Sequence, residues 1–138
     1  VLGDLALWLT IARHHKIAYL PETTSTYRLI EESESRTRDP RKSHRFHQSI
    51  FGIRYHFWQE YNKDPVIKER LDREYHLVLL GDAFRMGDKM LAKKAYRYFI
   101  ENNLSLPIKQ KIKYRATHNR FYRWITRRIM KIKRRIKK

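Results

Sequence analysis

The chain has 138 residues and a mass of 17.0 kDa, with 32 Lys and Arg against 14 Asp and Glu, a formal charge of +18. Its 41% hydrophobic and 13% aromatic content excludes a disordered basic tail, and four Gly and four Pro exclude a collagen-like or linker-like architecture. Without Cys there is no disulfide scaffold, thiolate zinc site or cysteine nucleophile, and no run approaches the roughly 18 uncharged apolar residues of a membrane span.

The first predicted element is a helix over residues 5–15, where Leu5, Trp8, Leu9 and Ala12 recur at helical spacing. Asp4, after Gly3, stands at its N-cap position. Residues 16–20 read as a short strand ending at Pro21, and residues 23–29, rich in Thr, Ser and Tyr, as a second. Residues 31–45 hold no large apolar side chain, so they are expected to be a polar loop and helix entry.

From Asp39 onward the pattern is helical. Asp39-Pro40 and Asp64-Pro65 each place an N-cap before a proline at the first helical position, where the missing N–H is harmless. Phe46, Ile50, Ile53 and Phe57 form the apolar stripe of the first of these helices. Ile67, Leu71, Tyr75, Val78 and Leu79 mark the second, which runs on towards Met86. Gly87 suits a left-handed C-cap and Asp88 a new N-cap, opening a helix with Leu91, Ala95 and Phe99 that ends near Asn102 and Asn103. One last helix is expected from about Pro107 to the end. Phe121, Ile125, Ile129, Ile132 and Ile136 line one side of it, and Lys and Arg cover the rest.

The charge is concentrated in that last helix. Residues 1–106 hold 18 basic and 14 acidic side chains, whereas residues 107–138 hold 14 basic and no acidic ones. Such asymmetry points to an anionic partner. A basic amphipathic helix with Phe121 and Trp124 at one end fits an anionic membrane surface, the isoleucine row inserted and the cations near the headgroups. Nucleic acid is the alternative partner, since basic residues with interleaved aromatics also bind phosphates. The row could also pack against the preceding helices. His44 and His47 lie three apart without a third ligand at useful spacing, so no metal site is expected.

The first thirty-five residues carry an ordered set of motifs. It runs Gly3-Asp4-Leu5-Ala6-Leu7-Trp8-Leu9, then Lys16-Ile17-Ala18-Tyr19-Leu20-Pro21-Glu22, then Tyr27-Arg28 and Ser33-Glu34-Ser35. This order resembles the end of the catalytic domain in bacterial family-2 glycosyltransferases of the GT-A fold. The resemblance implies that Asp4 is the catalytic base of an inverting transfer from a nucleotide sugar to a glycan or lipid-linked acceptor in surface polysaccharide synthesis. It implies substrate-binding roles for Arg28 and for Trp8, whose ring could stack on a sugar; a core position for Trp8 and a plain capping role for Asp4 are the structural alternatives. Where relatives carry His after Tyr-Arg, this chain has Ile30, so no role of that His is carried over.

The family's Asp-x-Asp motif does not occur here. With Val1 in place of an initiator Met, this predicts a C-terminal fragment, inactive alone and holding no cofactor itself. The nucleotide sugar and a divalent cation (Mg or Mn) would be held by a missing N-terminal half. The expected architecture is mainly α. Residues 1–30 would form the C-terminal edge of a GT-A α/β domain, with one helix and two short strands. A helical extension of about four helices would follow, with residues 31–45 as the polar entry, 39–106 as its body and 107–138 as the basic amphipathic helix. The expected location is cytoplasmic, peripheral on the inner face of the membrane. The alternative function is a non-enzymatic basic helical module that binds nucleic acid.

Overall fold

Short polar residues and glycine set most of the helix boundaries in this chain. A computed structural model describes residues 3–26 and 37–136, with side chains described for 4–26 and 37–129. The helices in order are α1 (Gly3–His14), α2 (Pro40–Phe57), α3 (Pro65–Met86), α4 (Lys89–Glu101), α5 (Ile108–His118) and α6 (Arg120–Ile136). Asp39 caps α2 by accepting from the Arg41 N–H at 2.8 Å, and Asp64 serves α3 by accepting from the Val66 N–H at 2.8 Å. Both prolines stand at the first helical position, as the sequence predicts.

Between α3 and α4 the chain reverses through Gly87, whose φ is +77°. The Gly87 and Asp88 amides both donate to the Ala83 carbonyl, at 2.7 and 2.9 Å, which satisfies the end of α3. Asp88 then caps α4 by accepting from the Leu91 N–H at 2.9 Å. A π-helical turn, Trp58–Asn62, prolongs α2. It closes at Lys63, which takes a left-handed φ of 55° and donates its N–H to the Trp58 carbonyl at 2.9 Å.

The expected α/β edge is not present: among the described residues there is no strand. Residues 16–20 carry no regular structure and every one of their side chains is exposed; of the second expected strand, residues 23–26 are likewise irregular and 27–29 lie outside the described residues. The physical reason is that a strand is completed by its neighbours. β-rich composition supplies no ladder partner, and two short strands without a third are marginal in water.

A second correction concerns the C-terminal helix, which is two helices. Asn119 leaves helical geometry, with φ −123° and ψ 121°, and its side chain accepts from the Phe121 and Tyr122 amides at 2.9 and 3.3 Å. It is therefore the N-cap of α6. The helices after residue 39 number five among the described residues, against about four expected.

The chain divides into two compact units, Val1–Leu71 and Asp72–Lys138. In the first, α1 packs on α2, and the Arg13 guanidinium stands 3.8 Å over the Tyr61 ring. The expected α2 stripe of Phe46, Ile50, Ile53 and Phe57 is half-buried throughout; Ser43 and Phe51 are the buried residues of that helix. Trp58 anchors the following turn by donating its indole N–H to the Asp64 carbonyl at 2.7 Å.

The second unit has the larger core. Leu79 and Leu80 of α3 meet Ala95 and Phe99 of α4, with Leu106 closing the cluster before α5. Tyr75, Leu91, Tyr96 and Tyr114 pack around it. The Tyr96 and Tyr114 rings stack 4.1 Å apart, tying α4 to α5. Alanines 83, 92, 95 and 116 are all buried, which lets the helices approach closely.

Candidate functional site

The catalytic candidate Asp4 lies in the first turn of α1, one residue inside the helix instead of flanking it. It is exposed, and its Oδ1 accepts from the adjacent Leu5 N–H at 2.9 Å. A carboxylate in a helix's first turn is favourably placed for the helix dipole. Trp8 follows one turn later and is 58% exposed. Residues four apart on a helix are neighbours on one face, with Cβ atoms about 5–6 Å apart. The structure therefore brings a carboxylate and an open aromatic face together on α1. Arg28, the third residue implicated by the resemblance, lies outside the described residues.

This pairing has a local cause. Leu5 and Leu9 are half-buried, while Asp4, Leu7 and Trp8 are exposed. Asp4 and Trp8 themselves stand open, although Ile11 on the same side, one turn further on, is half-buried. An open carboxylate can accept a proton from a hydroxyl, and an open indole can stack on a sugar ring.

The second functional feature is α6. Phe121 and Trp124 are 66% and 54% exposed, and their rings stack 6.4 Å apart at 22°. The Arg128 guanidinium stands 4.7 Å over the Trp124 ring, a cation–π contact. Ile125 is half-buried and Ile129 is 49% exposed. Ile132 and Ile136 belong to the helix, and their side chains lie outside the described ones.

Alongside the contact of α6 with α5, two of its arginine side chains reach the end of α3. Arg127 donates to the Arg85 carbonyl and lies 5.8 Å over the Phe84 ring. Partial burial there, followed by the charges of Arg123 and Arg85, lowers the pKa of Arg127 from its ordinary value. The Arg123 guanidinium fills the space left open by Gly87, where a Cβ would fall 1.5 Å from its Nη1. Sequence reading did not identify Arg123 and Arg127 as contact residues. Their four-residue spacing opposite the isoleucine row is the signal that could have found them.

No helix among the described residues is long and apolar enough to cross a membrane. No described group of three or more His, Asp and Glu side chains converges as a metal-ligand set. Comparison with protein-family models, with curated proteins and with solved structures finds no match to this chain.

Proposed function

We propose that this chain is the C-terminal part of an inverting family-2 glycosyltransferase, which transfers a sugar from a nucleotide sugar to a glycan or lipid-linked acceptor in bacterial surface polysaccharide synthesis. The observation that carries the proposal is the exposed pair on α1, Asp4 and Trp8, one turn apart. The order of the motifs over residues 3–35 supports it as sequence.

In this role the Asp4 carboxylate removes the proton from an acceptor hydroxyl as its oxygen attacks the anomeric carbon. Trp8 offers a face on which the acceptor sugar rests. A positioned base of this kind contributes about 10²–10⁴-fold in rate. The donor is held by residues outside this chain, and the work is done at the inner face of the membrane.

In the full-length protein, Asp4→Asn is expected to lower turnover by about 10² or more while donor affinity changes little. Sugar transfer and nucleotide-sugar binding, measured side by side, check this. Turnover retained in the variant removes Asp4 from the mechanism.

A further inference from the structure

An amphipathic helix in a globular protein normally turns its apolar row to the core and its charges to water. In α6 the arrangement is reversed. At about 100° per residue, Arg123 and Arg127 lie opposite the row of Phe121, Ile125 and Ile129. The arginines are the residues that meet the body, at Gly87, Phe84 and the Arg85 carbonyl. Phe121 and Ile129 are left exposed, and Ile125 between them is half-buried.

We infer that α6 is a preformed docking surface for an anionic lipid bilayer, held on the end of α3 by Arg123 and Arg127 with its apolar row facing outward. Charge complementarity identifies the occupant, because residues 107–138 carry 14 basic and no acidic side chains. The outward row distinguishes a bilayer from a nucleic acid. Phosphates require cations, and two of the α6 arginines are engaged with the body, while phosphates have no use for exposed aliphatic side chains. A bilayer uses both chemistries at adjacent depths. Acyl chains receive Phe121 and Ile129, and the headgroup layer receives the Trp124–Arg128 pair.

The clasp also defines how docking occurs. The helix does not need to leave the body to expose an apolar face, so the second unit binds lipid as it stands. Gly87, Arg123 and Arg127 are positioning residues that fix which side of α6 faces the membrane. This inference deepens the membrane-surface part of the proposed function and makes no use of Asp4, so each can fail without the other.

The test uses the full chain with two kinds of vesicle: phosphatidylglycerol mixed with phosphatidylcholine in equal parts, and phosphatidylcholine alone. Co-sedimentation is expected with the first and not with the second. Changing both Phe121→Ser and Ile129→Ser is expected to weaken binding at least about tenfold, with an unchanged helical circular dichroism spectrum because both side chains are exposed. The chain has no Cys, so Ile129→Cys and Arg120→Cys each give a single labelling position in an otherwise native chain. A fluorophore at position 129 is expected to be quenched by lipid-borne quenchers, and one at 120, on the arginine side, is not. Equal quenching at the two positions, undiminished binding by the double serine variant, or binding to duplex DNA without binding to the anionic vesicles would overturn the inference.

Discussion

His76 of α3 lies flat on Tyr98 of α4, with ring centroids 4.0 Å apart and planes 4° apart. Its Nδ1 is 2.7 Å from the Asp72 carbonyl oxygen, and since a carbonyl only accepts, the proton resides on Nδ1. Burial lowers the pKa of this ring below its ordinary value, Lys94 adds to the lowering, and the Asp72 carbonyl contact and carboxylate charge oppose it. A depressed folded-state pKa means that the unfolded chain binds more protons between that value and about 6.5. Stability contributed by neutral His76 is therefore fully present above about 6.5 and is lost as pH falls through the window below it. Replacing the ring by His76→Phe keeps the stack on Tyr98 and removes the titration. Urea unfolding at a series of pH values should show a shallower fall in stability for the variant below about 6.5. Parallel curves for the two proteins would remove His76 from the pH response.

At the scale of elements, the joint between α3 and α4 shows what a sequence can and cannot disclose. Gly87 adopts a left-handed φ that an L side chain resists, and the Arg123 guanidinium occupies the position of the missing Cβ. Gly87→Ala is expected to lower stability by about 1–3 kcal/mol. Because Arg123 is a flexible side chain it can withdraw, so the same variant should also quicken amide hydrogen exchange at the start of α6. Thermal unfolding and exchange measured together check both effects, and a loss of stability without faster exchange would place Arg123 outside the clasp. The cap residues here were legible in the sequence because a cap is local: Asp39, Asp64, Gly87 and Asp88 each act within four residues. Asn119 acts over the same range, and no Gly, Pro or acidic residue beside it between Ile108 and Lys138 marks the boundary in the sequence. The strand expected at 16–20, and the described part (23–26) of the one expected after it, are not formed for the opposite reason, since pairing depends on residues far away in sequence. The exposure of Trp8 and the contacts made by Arg123 and Arg127 were not legible either, because periodicity marks a face without saying what that face meets.

At the scale of the whole molecule, the excess positive charge lies almost entirely in α5, α6 and the few residues beside them. Lys109 and Lys113 are four apart on α5, as are Lys111 and Arg115; Arg123 and Arg127 repeat the spacing on α6. Like charges at this spacing oppose the helix by about 0.2–0.5 kcal/mol each, and no acidic side chain in residues 107–138 offsets them. Their repulsion is screened over a length of about 30 Å at 0.01 M salt and about 10 Å at 0.1 M. Added sodium chloride should therefore raise the thermal midpoint by a few degrees, the shift that follows from about 1 kcal/mol in a domain of this size. A chain held chiefly by surface ion pairs would respond in the opposite direction, so a falling midpoint would show that attraction outweighs repulsion. Anionic vesicles at low salt place counter-charges beside the same helices and should raise the midpoint as well. Salt and lipid then compete, because screening that relieves the helices also weakens their attraction to headgroups. The vesicle-induced rise is expected to shrink as salt is added while the salt-induced rise grows. A lipid effect that persists unchanged at high salt would mean that the apolar row of α6, and not its charge, accounts for the binding.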